Sequence, residues 1–214
     1  MSGDHHDHLH THDDHAPVGA TEPRPEYARL ERAVRELLIA KGVITAEDVR
    51  KQIELMDSRT PAMGAKIVAR AWVDPAFKAR LMKDAKAAAD EMGVDTSNSA
   101  TVVALENTPA RHHVVVCTLC SCYPKAILGV PPAWYKSSAY RARTVKEPRK
   151  VLAEFGTFLP ESVEIRVVDS TADMRYLVVP MRPAGTEGWS EDRLAALVGR
   201  DSMIGTALAD TPKN

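Results

Sequence analysis

Apolar positions recur at helical spacing through the first part of the chain and give way to short β-branched runs in the second. Tyr27, Leu30, Val34, Leu37 and Leu38 share one face of a helix, and Gly42 ends that stripe. Thr45 and Asp48 form a capping-box pattern ahead of Val49, Ile53 and Met56. Thr60-Pro61 and Asp74-Pro75 each read as an N-cap followed by proline at the first helical position. Phe77, Leu81, Met82, Ala85 and Met92 give a further stripe, with Gly93 as its C-cap. Several short helices with few aromatics make a thin core. The region 25–95 is therefore expected to be a helical arm that contacts a partner subunit as well as its own body.

Segments 101–106, 112–117, 163–169 and 174–180 are short and rich in β-branched residues, which predicts four strands. Between them, 131–156 is broken by Pro131, Pro132 and Pro148 and carries helical stretches ending at Gly156. Ser190 can cap a last helix with Leu194, Leu197 and Val198 on its apolar face. Helices followed by strands predict an α+β protein, in which the helical arm precedes an α/β layered body over 96–208. Residues 1–24 lie outside both units. There His5, His6, His8, His10, His12 and His15 alternate with acids and almost nothing can be buried, so the segment reads as a disordered tail that could hold divalent metal weakly.

Composition narrows the class. Charged residues at 27% and a formal net charge of −1 leave no electrostatic reason for a nucleic acid or an anionic membrane as partner. No apolar run approaches the ~20 residues that span a bilayer. The start of the chain lacks the basic-then-apolar order of a signal peptide, so cytoplasmic residence is the default expectation.

The chemistry lies in the three cysteines, Cys117, Cys120 and Cys122, all within six residues just after a predicted strand. Disulfides between such close neighbours are strained, and a secreted framework would spread its cysteines along the chain. Structural zinc wants four ligands, usually two distant pairs, and no second pair exists. His112 and His113 are adjacent on a strand and so point to opposite faces, leaving at most one to help. A third arrangement uses the backbone. The sulfurs of Cys120 and Cys122 can join the amide nitrogens of Ser121 and Cys122 in one plane, with Cys117 as an axial thiolate and the opposite axial position open. Thiolates and deprotonated amides suit a small trivalent metal such as Co(III) or Fe(III), which acts as a Lewis acid on a nitrile or on water. Exposed thiolates can also be oxidised to sulfenate and sulfinate.

The run 116–123, Val-Cys-Thr-Leu-Cys-Ser-Cys-Tyr, resembles the metal loop of the nitrile hydratase α subunit. The resemblance extends through 64–72, 128–136, 140–143, 151–156, 182–186 and 200–205. It implies that Cys117 is the unmodified axial thiolate, Cys120 the sulfinate and Cys122 the sulfenate, with Ser121 and Cys122 also ligating through their amides. Thr118, where the iron branch has serine, is similar to the cobalt branch and implies one Co(III) per chain. A β-type subunit, a cobalt-inserting activator protein and a small nitrile substrate are implied as partners. Cys122 and Cys120 are then the catalytic pair.

Three positions depart from the family's pattern. Lys125 stands where relatives place a pocket tryptophan, Asn98 where a glutamine supports the ligands, and Val168 where a tryptophan often precedes Asp169-Ser170. Lys125 can line the substrate pocket or lie at a subunit seam. The γ subunit of thiocyanate hydrolase is a sister family with a His/Asp-rich start and a basic residue at the Lys125 position, suited to an anionic substrate. Three-subunit nitrile hydratases acting on nucleoside nitriles are a further relative. A metal-carrier module, for which the His-rich tail would be the sign, remains the non-enzyme alternative.

Overall fold

The structure is a computed structural model that describes residues 25–212; the tail expected at 1–24 lies outside them. All four predicted strands form, as β1 (Thr101–Glu106), β2 (Arg111–Val116), β3 (Glu164–Asp169) and β4 (Met174–Val179). They pair as two parallel couples, β1 with β4 and β2 with β3. A parallel couple needs a long crossover. The β2–β3 crossover contains the cysteine loop, α6 (Lys125–Leu128), a 3-10 turn (Ala133–Lys136), α7 (Ser138–Lys146) and α8 (Pro148–Glu154). α7 covers β2 and α8 covers β3, while on the other side β2 meets β1 and β4. β2 is therefore enclosed on both faces, so all its residues after Arg111 are buried and it reads as a continuous apolar run.

α4 (Pro75–Lys83) and α5 (Ala85–Glu91) lie against β1, and α10 (Arg200–Ile204) lies against β4. The mixed architecture is thus layered, helices outside two thin parallel sheets. α3 (Pro61–Val73) binds the layers together. Its Gly64, Ala65, Ala69 and Ala71 are buried, and small side chains let α4, α6, α9 (Glu191–Ala195) and α10 pack close.

Burial divides the helical region after its second helix rather than near residue 95. α1 (Pro25–Ala40) and α2 (Ala46–Ser58) bury no residue, whereas Ile67, Val68, Phe77 and Leu81 of α3 and α4 are fully enclosed. The capping box at Thr45 and Asp48 forms as expected. Proline occupies the first turn after both Thr60 and Asp74, but only Asp74 also caps through its side chain, accepting from the Phe77 amide at 2.9 Å. The stripe expected to run from Phe77 to Met92 is cut at Asp84, whose carboxylate caps a new helix through the Ala87 amide at 3.0 Å. The last predicted helix is also shorter. Ser190 caps it, but α9 ends at Ala195, before Leu197 and Val198, and the separate α10 follows Gly199.

Aromatic residues are only 5% of the chain, yet they gather in one place. Trp134 meets Tyr135, Tyr140 and Phe155 edge-on, 4.7 Å from Phe155 and 4.8 Å from Tyr140 between ring centres, and Tyr123 packs 5.2 Å from Tyr135. This dense packing lies directly beneath the cysteine loop.

Candidate metal centre

Cys117 is the first residue after β2, so a strand buried on both faces delivers the loop to a fixed point. Hydrogen bonds from β3, α7 and the 3-10 turn then anchor the loop and its approach. Asp169, the last residue of β3, accepts from the Thr118 amide at 2.9 Å and from its hydroxyl at 2.5 Å. The Ser170 amide donates to the Val116 carbonyl at 2.7 Å, continuing the β2–β3 pairing one step further. Tyr140 donates its hydroxyl to the Val115 carbonyl at 2.7 Å, and Tyr135 to the Cys122 carbonyl at 2.8 Å. A site held this way is preorganised.

Within that frame the three sulfurs converge. Cys120 Sγ lies 3.4 Å from Cys117 Sγ and 3.1 Å from Cys122 Sγ, and all three fall within 4.8 Å of one another. Cys117 is buried, Cys122 intermediate and Cys120 exposed. Hydrogen bonding from the Cys122 thiol, then from Cys117 and the Ser121 and Cys122 amides, brings the Cys120 thiol down to about 7. Burial, together with the Cys120 thiolate, pushes Cys122 up to about 12. One sulfur is thus set up as an anion and its neighbour as the donor to it. The amides that assist Cys120 are the two expected to ligate. Three sulfurs within 4.8 Å of one another, with two amides beside the central one, fit a small metal ion, and a four-sulfur zinc site finds no fourth thiolate among the described residues.

His112 and His113 take no part. Both are buried and share Asn107: His112 Nδ1 lies 3.0 Å from its Nδ2, and His113 Nδ1 lies 3.1 Å from its Oδ1. His112 Nε2 reaches the Gly205 carbonyl at 2.7 Å. They tie β2 to the turn before it and to the end of α10.

A cavity of about 370 Å³ opens on Cys120, Ser121 and Cys122. Two of the positions that depart from the family's pattern border it: Lys125 at the start of α6, and Asn98, which is exposed and in the loop before β1. Sequence reasoning missed two further cations in the wall, Arg59 and Arg175. Neither carried a signal, since Arg59 lies at the end of α2 and Arg175 within a strand, both remote from the cysteines in sequence. Tyr135 lies inside the matching run 128–136 and Asp169 follows the departing Val168, but neither carries a sequence sign of its anchoring role. No carboxylate lines the cavity among the described residues.

A cluster of three cysteines that could hold a metal ion, two of them opening on a cavity, marks the chain as a candidate metal-bearing protein. The chain belongs to the nitrile hydratase alpha chain family, whose profile matches residues 25–207. The low-molecular weight cobalt-containing nitrile hydratase subunit alpha of Rhodococcus rhodochrous is 51% identical over 201 residues, covering 92% of this chain and 97% of that protein. The thiocyanate hydrolase subunit gamma of Thiobacillus thioparus is 46% identical over 219 residues, covering 97% and 90% respectively. A recombinant thiocyanate hydrolase with partially modified cobalt centres superimposes with a TM-score of 0.81 at 44% identity, covering 90% of this chain and 96% of that one. No helix among the described residues is long and apolar enough to cross a membrane.

Proposed function

We propose that this chain is the cobalt-bearing subunit of a cytoplasmic nitrile hydratase, converting a nitrile to its amide in complex with a β-type subunit. It holds one low-spin Co(III), loaded by an activator protein. Cys117, Cys120 and Cys122 bind through sulfur and Ser121 and Cys122 through their amides, with Cys120 as sulfinate and Cys122 as sulfenate. The observation that carries this reading is the convergence of three sulfurs, with Cys120 and Cys122 bordering a cavity and the Ser121 and Cys122 amides hydrogen-bonded to Cys120. Bound cobalt supplies a Lewis acid that polarises the C≡N group. The Cys122 sulfenate oxygen then serves as nucleophile, or as base for the attacking water. As base, the sulfenate takes a proton from water, whose oxygen goes to carbon and whose two hydrogens end on nitrogen. As nucleophile, it gives its own oxygen to carbon and a water oxygen replaces it on sulfur, the two hydrogens again ending on nitrogen. Asn98, which borders the cavity beside the cysteine loop, stands where the family's glutamine supports the ligands.

The arm supports the need for a partner. Tyr27, Leu30, Val34, Val49 and Ile53 line an apolar groove of about 680 Å³ between α1 and α2. A β-type subunit covering it would bury apolar surface that a free chain leaves wet.

A second reading, a thiocyanate hydrolase γ-type subunit, is favoured by the three cations in the cavity wall, Lys125, Arg59 and Arg175. The deciding experiment assays the purified, co-expressed complex in parallel on simple nitriles, a nucleoside nitrile and thiocyanate. Amide from nitriles without thiocyanate consumption supports the hydratase; the reverse overturns it. In the same assay, Lys125→Trp is expected to raise turnover of benzonitrile several-fold and lower that of the native substrate. An unchanged profile would place Lys125 at a seam instead.

A further inference from the structure

We propose that Arg59, at the junction between arm and body, is a specificity-determining residue that acts with Lys125 to select substrates carrying a negative charge beside their C≡N group. The proposal rests on the nitrile-hydrating metal centre and names the substrate class for it.

Arg59 is half-buried and borders the cavity over Cys120–Cys122. Its guanidinium has no hydrogen-bond or ion-pair partner among the described residues. Asp95 is close enough to feel its charge, but that carboxylate is engaged by the Ser97 amide at 3.0 Å and hydroxyl at 2.6 Å. Lys125 likewise has no partner among the described residues. Arg175 differs, since its Nη1 donates to the Thr171 and Met174 carbonyls. Two uncommitted cations facing a cavity without carboxylates favour an anionic occupant.

Their positions are coupled. Arg59 caps the C-terminus of α2, its amide donating to the Met56 carbonyl at 3.2 Å. Its own carbonyl sits against Gly129, so close that a Cβ added there would collide with it. Gly129 in turn caps α6, the helix that Lys125 begins. The two cations come from remote parts of the sequence, yet backbone contact fixes one carrier against the other. A partner that clasps α1 and α2 therefore also sets where Arg59 stands.

The test compares 3-cyanopropionate with butyronitrile, which lacks the charge, and includes thiocyanate as a compact anion. In the co-expressed, cobalt-loaded complex, Arg59→Gln is expected to raise KM for 3-cyanopropionate about ten- to a hundredfold relative to the change for butyronitrile. Arg59→Lys should restore most of the loss. Calorimetric binding of 3-cyanopropionate and of thiocyanate should weaken in parallel, and whichever binds wild type more tightly identifies the source of the charge. Equal KM changes for charged and neutral nitriles would overturn the proposal. So would loss of cobalt or of cysteine oxygens in Arg59→Gln, which would place Arg59 in holding the centre. If wild type turns over no nitrile, the hydratase reading fails, and the binding titrations alone decide Arg59: affinity unchanged by the substitution rejects its role.

Discussion

Cys120→Ala in the co-expressed complex is expected to abolish stoichiometric cobalt and reduce turnover to background. Cys120 Sγ lies between the other two sulfurs, 3.4 Å from one and 3.1 Å from the other, and it is the sulfur that the local hydrogen bonds favour as thiolate. Removing it leaves Cys117 and Cys122 without the donor that joins them, and two thiolates hold a trivalent ion far less well than a five-donor set. Elemental analysis should fall from about one cobalt per chain to a small fraction. Intact mass should change too: wild type is expected to carry two added oxygens on Cys120 and one on Cys122. A Cys120→Ala complex that retained cobalt and activity would refute the ligand assignment. Three free thiols in active wild type would refute the oxidised centre.

Much of this candidate centre is legible in the sequence because its cysteines are close together in the chain. A Cys-Thr-Leu-Cys-Ser-Cys run cannot place its sulfurs far apart, so residues 117–122 carry both the sulfur cluster and its location after a strand. The four strands are legible for a similar reason, since β-branched runs specify local conformation. Their pairing is not, because a parallel partner depends on where a crossover returns the chain. The arm's boundary is hidden as well. The stripes that begin at Tyr27 and at Phe77 read alike as helical, and only the packed structure distinguishes Leu30, 59% exposed, from Leu81, fully buried. Arg59 and Arg175 are the least legible, because their role comes entirely from tertiary approach to the cysteine loop.

Gly129→Ala is expected to destabilise the chain by about 3 kcal/mol or more, a fall in Tm of roughly 6–12 °C for a domain of this size. Two effects combine there. The backbone at φ 71° and ψ −151° lies in a region that L side chains seldom enter, and the new methyl would meet the Arg59 carbonyl carbon and oxygen, not a side chain that can turn away. Gly156→Ala separates the two. Gly156 also has a positive φ, 78°, but nothing lies within 4 Å of its added Cβ, so it should cost only about 1 kcal/mol. The excess at Gly129 measures the contact between the end of α6 and the α2–α3 junction. Because that contact fixes the carriers of Lys125 and Arg59, Gly129→Ala should also blunt discrimination between 3-cyanopropionate and butyronitrile, and Gly156→Ala should not. Equal melting shifts in the two variants would mean that the backbone gives way at Arg59, and that the two cations are not held in register by this contact.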